Sequence, residues 1–525
     1  MINKIKLFVT NNFSLIGITL VGLLFRLYNL TGISLWHDEA FSALLIKYSW
    51  SEMMYRIGLD VHPPMYYIFL RIWTDVFGHS LFALRGMSVF FGVATIIAVY
   101  YFVNYTFKDR RAAIISAIFV AVNPFQVQYV TEARMYTMGG FFVVTAGLTL
   151  VAALRTQLAY YANSFNKVLS AQLKKRFLIY YALFVVSSII LIYTHYYLLF
   201  TVAALGLYAI LYCAINYKFE LKKYVWVVLS GIAMGIGFLP WLKVFLFQFK
   251  QVGAGYWIPP MDKWSIPNTL WDLLILLPRS PSLNYILLTI VTIFIVFAIA
   301  YLIWKYTETE KWLILACFLA PFGGAILFFL LAKFNNSNSS VYLVRYFIFC
   351  SSYYLILVAL MFSHIRIKQV GNMLAMLLIV LNIYSIWNYW NLLDVNSKPG
   401  MAAAAKFLNT NVEPQQKIFV GSSFEFFNYK YYNDTTVKPL LFTDGNLVHN
   451  LPHFAGTAIL TDDDLVLNFS EATKPGDIVW LLWTNGFGGS QPTVPSNWVQ
   501  IDEKGFAEVK PYVGTWVIVT EYKVQ

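Results

Sequence analysis

Two adjacent carboxylates, Asp38 and Glu39, follow the first apolar run of the chain in the stretch Trp36-His37-Asp38-Glu39. A charge at membrane depth costs about 2.5–3.5 kcal/mol on insertion scales, so this pair needs water, a partner or a chemical role. A positioned carboxylate can take a proton from an attacking hydroxyl group, which is the chemistry of a general base. Simple solvation at the surface is the alternative interpretation, and this stretch by itself does not decide between the two.

Other polar residues occupy the ends of later apolar runs and the connections between them. Arginine can bind a phosphate through two hydrogen bonds, and aromatic side chains beside it can stack on a sugar or pack against a lipid chain. Arg85 has three possible roles here: pairing with Asp38, pairing with Glu39, or reaching lipid headgroups. The candidate residues are Arg85, His62 (before Pro63-Pro64), Glu132, Arg134 and Tyr136, His195 (in Tyr-Thr-His-Tyr-Tyr), Arg279 and Arg345.

The composition indicates a polytopic α-helical membrane protein. Of the 525 residues, 59% are hydrophobic and 12% are charged, whereas soluble proteins have about 25% charged residues. The three cysteines, Cys213, Cys317 and Cys350, lie in apolar runs; we predict that they are buried, and so few exclude a disulfide scaffold. About eleven runs are long enough, or nearly so, to cross a hydrocarbon core of ~30 Å. They lie near residues 13–30, 81–103, 112–130, 137–154, 177–193, 196–216, 224–242, 284–304, 312–332, 341–363 and 370–389.

The basic residues predict the orientation of these runs. With the N-terminus in the cytoplasm, the inner loops hold 17 Lys and Arg, and the longer outer loops hold about nine. Such a bias is the positive-inside rule, and it explains the net charge of +12 without a nucleic-acid partner. This topology places all the candidate residues on the outer side of a plasma (inner) membrane. Their shared side is the main argument for a common site.

The chain is predicted to have two domains. Residues 1–391 form the membrane domain, with long outer loops at 31–80 and 243–283, and residues 41–55 have the apolar spacing of a helix on the membrane surface. Residues 392–525 read as a small soluble α/β domain outside the cytoplasm, with 9 basic and 14 acidic residues. We predict a helix at 401–408 and strands at 417–422, 477–483 and 513–522.

The order and the predicted side of these motifs resemble the GT-C membrane glycosyltransferases. Within that group the chain is most similar to bacterial relatives of the protein O-mannosyltransferases and to the lipid A aminoarabinose transferases. The resemblance covers about residues 1–390, and the remainder is like the small extracytoplasmic domains that many members carry. It implies a GT-C-like fold, a polyprenyl-phosphate-linked sugar as donor, surrounding membrane lipids, and inverting transfer to an unidentified extracytoplasmic acceptor.

The resemblance also implies roles for particular residues. Asp38 falls on the position of the catalytic base, with Glu39 beside it as a supporting or acceptor-positioning group. Arg134 and Arg345 fall near the donor phosphate, Arg279 is a weaker candidate, and Glu132 is expected to hold Arg134. Some members bind a divalent cation; it is left open here, because His62 and Glu39 could supply ligands but lack the spacing of closed zinc sites.

Two other classes of protein remain as alternatives. A transporter or flippase of lipid-linked glycans predicts paired repeats and ionisable residues near the midplane of broken helices, and the sequence has no convincing repeat. A non-catalytic protein that binds lipid-linked glycans would use the same residues. Release of lipid phosphate from a sugar donor discriminates among the three.

Overall fold

The computed structural model describes residues 2–163, 165–254, 258–334, 340–394, 398–486, 488–509 and 514–525. Helices make up the first three quarters of the chain. They are α1 (Ile2–Leu27), α2 (His37–Leu45), α3 (Trp50–Leu59), α4 (Met65–Phe77), α5 (Leu81–Phe107), α6 (Arg110–Val122), α7 (Pro124–Val130), α8 (Tyr136–Ala162), α9 (Lys167–Ile192), α10 (Leu198–Tyr217), α11 (Val225–Ala254), α12 (Ser265–Leu274), α13 (Asn284–Lys305), α14 (Lys311–Phe334), α15 (Ile348–Ser363) and α16 (Lys368–Leu393).

Within the described ranges, nine helices are long and apolar enough to cross a membrane, and the bent pair α6–α7 makes a tenth. The first predicted run, 13–30, coincides with the apolar part of α1, Asn12–Leu27, which is shorter than these nine helices. The fold class is therefore confirmed with nine to ten spans. The three cysteines are buried, as predicted.

Helix α15 is the centre of the membrane helices. Every residue of α15 is buried, whereas only 11% of the most apolar part of α11 is buried. A helix that is apolar on all sides can be covered by protein on all sides, and the chain just before it is then fixed as well. Arg345 stands there, in the 3₁₀ turn Val344–Phe347.

The C-terminal residues form the expected α/β domain. Its helices are α17 (Gly400–Asn411), α18 (Ser423–Tyr432) and α19 (Phe469–Ala472), and its strands are β1 (Lys417–Val420), β2 (Pro439–Phe442), β3 (Leu465–Val466), β4 (Ile478–Thr484), β5 (Trp498–Ala507) and β6 (Trp516–Val524). The sheet order is β3-β2-β1-β4-β6-β5, parallel through β4 and antiparallel at β6 and β5. The predicted helix and three strands are present. Residue 513, where the last strand was predicted to begin, lies outside the described residues.

Packing divides the chain into two compact units. One comprises Met1–Tyr28, His62–Tyr66 and Gly86–Asn388, and the other comprises Asn29–Val61, Tyr67–Arg85 and Tyr389–Gln525. Helices α2 and α3 therefore pack with the C-terminal residues, although the sequence assigned residues 31–80 to the membrane domain. A domain boundary at residue 391 stays a prediction.

Candidate functional site

Asp38 lies in the first turn of helix α2. The carbonyl of Trp36 accepts hydrogen bonds from the backbone N–H groups of Glu39 (2.9 Å) and Ala40 (3.0 Å), which begins the helix. The carboxylate is half-buried and stands at the positive end of the helix dipole, which favours a negative charge. A general base must be accessible to its substrate, and a half-buried side chain meets that requirement.

The single surface helix predicted at 41–55 was wrong, because two helices cover this stretch. Helix α2 ends at Leu45, and α3 begins at Trp50. The break follows from Ser49, whose side chain accepts a hydrogen bond from the backbone N–H of Glu52 at 3.3 Å and caps α3.

Glu39 forms a buried ion pair with Arg85. Arg85 Nε and Nη2 donate to the two oxygens of Glu39 at 2.8 Å each, and both side chains are 0% exposed. Arg85 Nη1 also donates to the carbonyls of Leu30 (2.7 Å) and Ile33 (2.8 Å), and Nη2 donates to that of Ser34 (3.3 Å). Of the three roles considered for Arg85, the structure shows pairing with Glu39. This pairing favours a supporting role for Glu39, and its assignment as catalytic stays a prediction.

Three other predicted residues, His62, Arg134 and Arg345, lie around His195. Arg134 Nη2 lies 3.4 Å from His62 Nε2, and the rings of His62 and His195 are 5.8 Å apart. Burial holds the pKa of His195 well below its usual range, and the electrostatic influence of His62, Arg134 and Arg345 lowers it further. His195 is therefore neutral near pH 7, and its Nδ1 accepts a hydrogen bond from the backbone of Tyr197 at 3.1 Å. We call His62, Arg134, His195 and Arg345 the cationic cluster.

Backbone contacts position the members of this cluster. The N–H of Met65 donates to the carbonyl of Tyr193 at 2.8 Å, which ties the His62-Pro63-Pro64 segment to the connection between α9 and α10. Rings from the start of α15 then cover His195: Tyr346 lies 4.6 Å away and Phe349 lies 5.3 Å away.

Tyr136 and Glu132 flank the cluster. The Tyr136 ring lies 6.4 Å from Phe349, the ring that also faces His195. Glu132 is buried, and its carbonyl accepts a hydrogen bond from Ser88 Oγ at 2.7 Å. That Glu132 holds Arg134 stays a prediction.

Sequence reasoning missed Arg26, which supports the chain leading to Arg134. Helices α6 and α7 are bent by 51°, because Pro124 starts a new helix after Asn123. Arg26 is fully buried and donates to the carbonyls of Val120 (2.9 Å) and Ala121 (2.9 Å), which end α6. The available signal was an arginine inside an apolar run, where a charge needs a partner.

Arg279 lies in a network of its own, within the second long connection. Its guanidinium donates to Asn284 (2.6 Å) and Asn268 (2.5 Å) and lies 3.7 Å from Asp272. Burial raises the pKa of Asp272 to about 6, and the charge of Arg279 opposes that rise. These partners occupy Arg279, so a phosphate would have to compete with them.

No group of three His, Cys, Asp or Glu side chains that could hold a metal ion occurs in the part of the chain that the structure describes. The structure therefore adds no support for the divalent cation that the sequence left open. The candidate chemistry is carried by a carboxylate and by guanidinium groups.

Comparison with known proteins gives one family match and several structural matches. Residues 61–215 match the family model described as dolichyl-phosphate-mannose-protein mannosyltransferase. No curated protein sequence matches the chain. Two similar solved structures are of ArnT from Cupriavidus metallidurans. The structure bound to undecaprenyl phosphate has a TM-score of 0.58, 12% identity, and coverage of 97% of this chain and 98% of ArnT. The apo structure has a TM-score of 0.59, 10% identity, and coverage of 96% and 97%.

The fold is therefore that of a multi-pass GT-C membrane protein. Residues 61–215 are similar to the O-mannosyltransferase family, and the fold of the whole chain is similar to that of ArnT. The resemblance stated from the sequence motifs is confirmed at this level.

Proposed function

We propose that the chain transfers a sugar from a polyprenyl-phosphate carrier to an acceptor outside the cytoplasm. The observation that carries this proposal is the cationic cluster, in which two arginines lie beside a buried neutral histidine and aromatic rings. A phosphate is the ligand that paired guanidinium groups favour. The crystal structure of ArnT with undecaprenyl phosphate, a protein of the same fold, supports a lipid phosphate as the carrier.

The proposed reaction is a single displacement that inverts the anomeric carbon. Asp38 takes the proton of the acceptor hydroxyl as its oxygen bonds to that carbon, and the bond from carbon to phosphate oxygen breaks. The electron pair leaves on the phosphate, where Arg134 and Arg345 stabilise the added negative charge. His195 can donate a hydrogen bond without adding charge. A protein hydroxyl, a lipid-linked glycan and a cell-wall polymer would all suit this chemistry as acceptors.

The proposed location is the plasma (inner) membrane, with the N-terminus in the cytoplasm and the C-terminal domain outside. The excess of basic residues in the predicted inner loops supports this orientation. The donor would then be used from the outer leaflet.

The purified full-length chain, incubated with polyprenyl-phosphate-linked sugars and candidate acceptors, tests the function. The proposal predicts release of free polyprenyl phosphate in step with glycosylated acceptor. A transporter would move the donor across a vesicle membrane without releasing lipid phosphate. A binding protein would retain the donor intact. Either of those two results would contradict the proposal.

Replacing Arg345 by Ala is expected to raise the KM for the lipid donor by about 10- to 100-fold. A hydrogen bond to a charged group contributes about 1.5–3 kcal/mol, which corresponds to that range. Arg345→Lys should recover part of the loss, because it keeps the charge but not the planar fork. Arg279→Ala is the comparison, since its guanidinium already has side-chain partners. An equal change in donor KM for both alanine variants would count against the assignment.

A further inference from the structure

We propose that helix α18 positions helix α2, and thereby Asp38, so that the C-terminal domain sets the rate of the transfer step. This inference rests on the proposed function of Asp38. It assigns a role to C-terminal residues that carry no catalytic motif of their own.

Helix α2 has little means of holding its own position. It has nine residues, and the side chain of its N-cap residue, Trp36, forms no capping hydrogen bond. Isolated helices shorter than about 12 residues are marginal in water. The placement of α2 therefore depends on what packs against it.

Two sets of contacts hold α2 and the chain before it. Arg85 provides the first set, and α18 provides the second. The hydroxyl of Tyr432 accepts a hydrogen bond from the backbone N–H of Leu35 at 2.9 Å. The ring of His37 lies 4.9 Å from that of Phe424 and 5.5 Å from that of Phe427. Leu35 and His37 are buried and belong to the four residues up to the proposed base. A shift of α18 would therefore move the backbone at Asp38.

Helix α17 adds a second anchor just upstream. Ser34 Oγ donates to the carbonyl of Pro399 at 2.8 Å and accepts from the N–H of Ala402 at 3.1 Å. Gly400 has a left-handed backbone with φ +54, and a Cβ there would lie 3.2 Å from Ser34 Oγ. Glycine thus permits the close approach, and the segment leading into α2 is held by α17 and α18 of the C-terminal domain.

We expect the contacts of α17 and α18 with this segment to affect the transfer step more than donor binding. A general base must lie within hydrogen-bond reach of the hydroxyl that it deprotonates. Misplacement by about 1 Å can cost about 100-fold in rate. The arginines proposed to bind the phosphate belong to other segments of the chain. Loosening α18 should therefore lower kcat and leave the KM for the donor unchanged.

Two variants of the full-length chain test this role. Phe424→Ala removes a half-buried ring that faces His37, and Tyr432→Phe removes only the hydroxyl that binds Leu35. We expect kcat to fall by about 10- to 100-fold for Phe424→Ala and by about 3- to 10-fold for Tyr432→Phe. Donor KM should stay within about 2-fold in both, because the phosphate contacts are untouched. Phe424→Tyr should restore kcat, since it keeps the ring.

Tyr429→Phe is the matched control. Its hydroxyl donates to Asn433 Oδ1 at 3.2 Å, so this change on the same helix leaves the contact with Leu35 in place. Its kcat should equal that of the unchanged chain. An equal loss in Tyr429→Phe, or unchanged kcat in both test variants, would overturn the inference.

Amide hydrogen exchange supplies a readout that does not depend on turnover. We expect faster exchange across residues 35–45 in Phe424→Ala and Tyr432→Phe, and unchanged exchange there in Tyr429→Phe. Unchanged protection of residues 35–45 in all three variants would overturn the positioning role. Absence of turnover in the unchanged chain would overturn the proposed function instead, while exchange would still decide whether α18 holds α2.

Discussion

Asp38→Asn is expected to lower sugar transfer by about 10²- to 10⁴-fold, the usual contribution of a general base. Asparagine keeps the shape of the side chain and loses its ability to accept the proton. Insertion, folding and binding of the lipid donor should be preserved, because Asp38 is half-buried and outside the cationic cluster. Rates of polyprenyl phosphate release by the purified variant measure the effect.

Asp75→Asn is the control for this experiment. Asp75 is an exposed carboxylate in helix α4, and it forms a surface ion pair with Arg71 at 3.1 Å. Its replacement should leave turnover unchanged, since exposed pairs contribute about 0–1 kcal/mol. Turnover like that of the unchanged chain in Asp38→Asn would reject Asp38 as the base.

Arg85→Met is expected to cause the largest loss of stability, about 3–5 kcal/mol, because it leaves the Glu39 carboxylate buried without its partner. The carbonyls of Leu30, Ile33 and Ser34 lose their donor as well. Thermal unfolding in detergent, compared with that of Asp75→Asn, measures the change.

A double variant separates the charge from the loss of carbonyl partners. Glu39→Met combined with Arg85→Met removes both charges, so part of the stability should return. Complete recovery would mean that the carbonyl contacts contribute little. If Arg85→Met unfolded at the temperature of the unchanged chain, the buried pair would not be an anchor of the segment before Asp38.

The sequence was sufficient to predict the membrane helices and three strands of the C-terminal domain, β1, β4 and β6. Both depend on local patterns: long apolar runs for the spans, and short apolar strands for the sheet. The bend between α6 and α7 was not predicted, although Pro124 marks the start of α7. The break between α2 and α3 was not predicted, since apolar spacing alone does not reveal the cap formed by Ser49.

Part of the candidate site could also be predicted from the sequence. His62, Arg134, His195 and Arg345 were grouped by the side of the membrane on which they were expected, and the structure brings them together. The pairing of Glu39 with Arg85 could not be predicted, because Asp38 was an equally good partner in sequence.

The contacts between α2 and α18 were beyond the sequence for a different reason. They join segments almost 400 residues apart through aromatic rings and a single hydroxyl. Neither apolar spacing nor charge marks such a long-range pairing. The partners of Arg26, which are backbone carbonyls on α6, could not be predicted either, although a charge in an apolar run indicates that some partner is needed.

Membrane sidedness provides the most direct test of the central claim that the base and the phosphate-binding arginines act on one substrate outside the cytosol. Cysteine at position 38 or 345 can be labelled in intact cells with a membrane-impermeant thiol reagent, against low background from the buried Cys213, Cys317 and Cys350. The account predicts labelling of both positions without permeabilisation, and labelling of a cysteine at position 174 only after it. Reaction of positions 38 and 345 from opposite sides of the membrane would contradict the account.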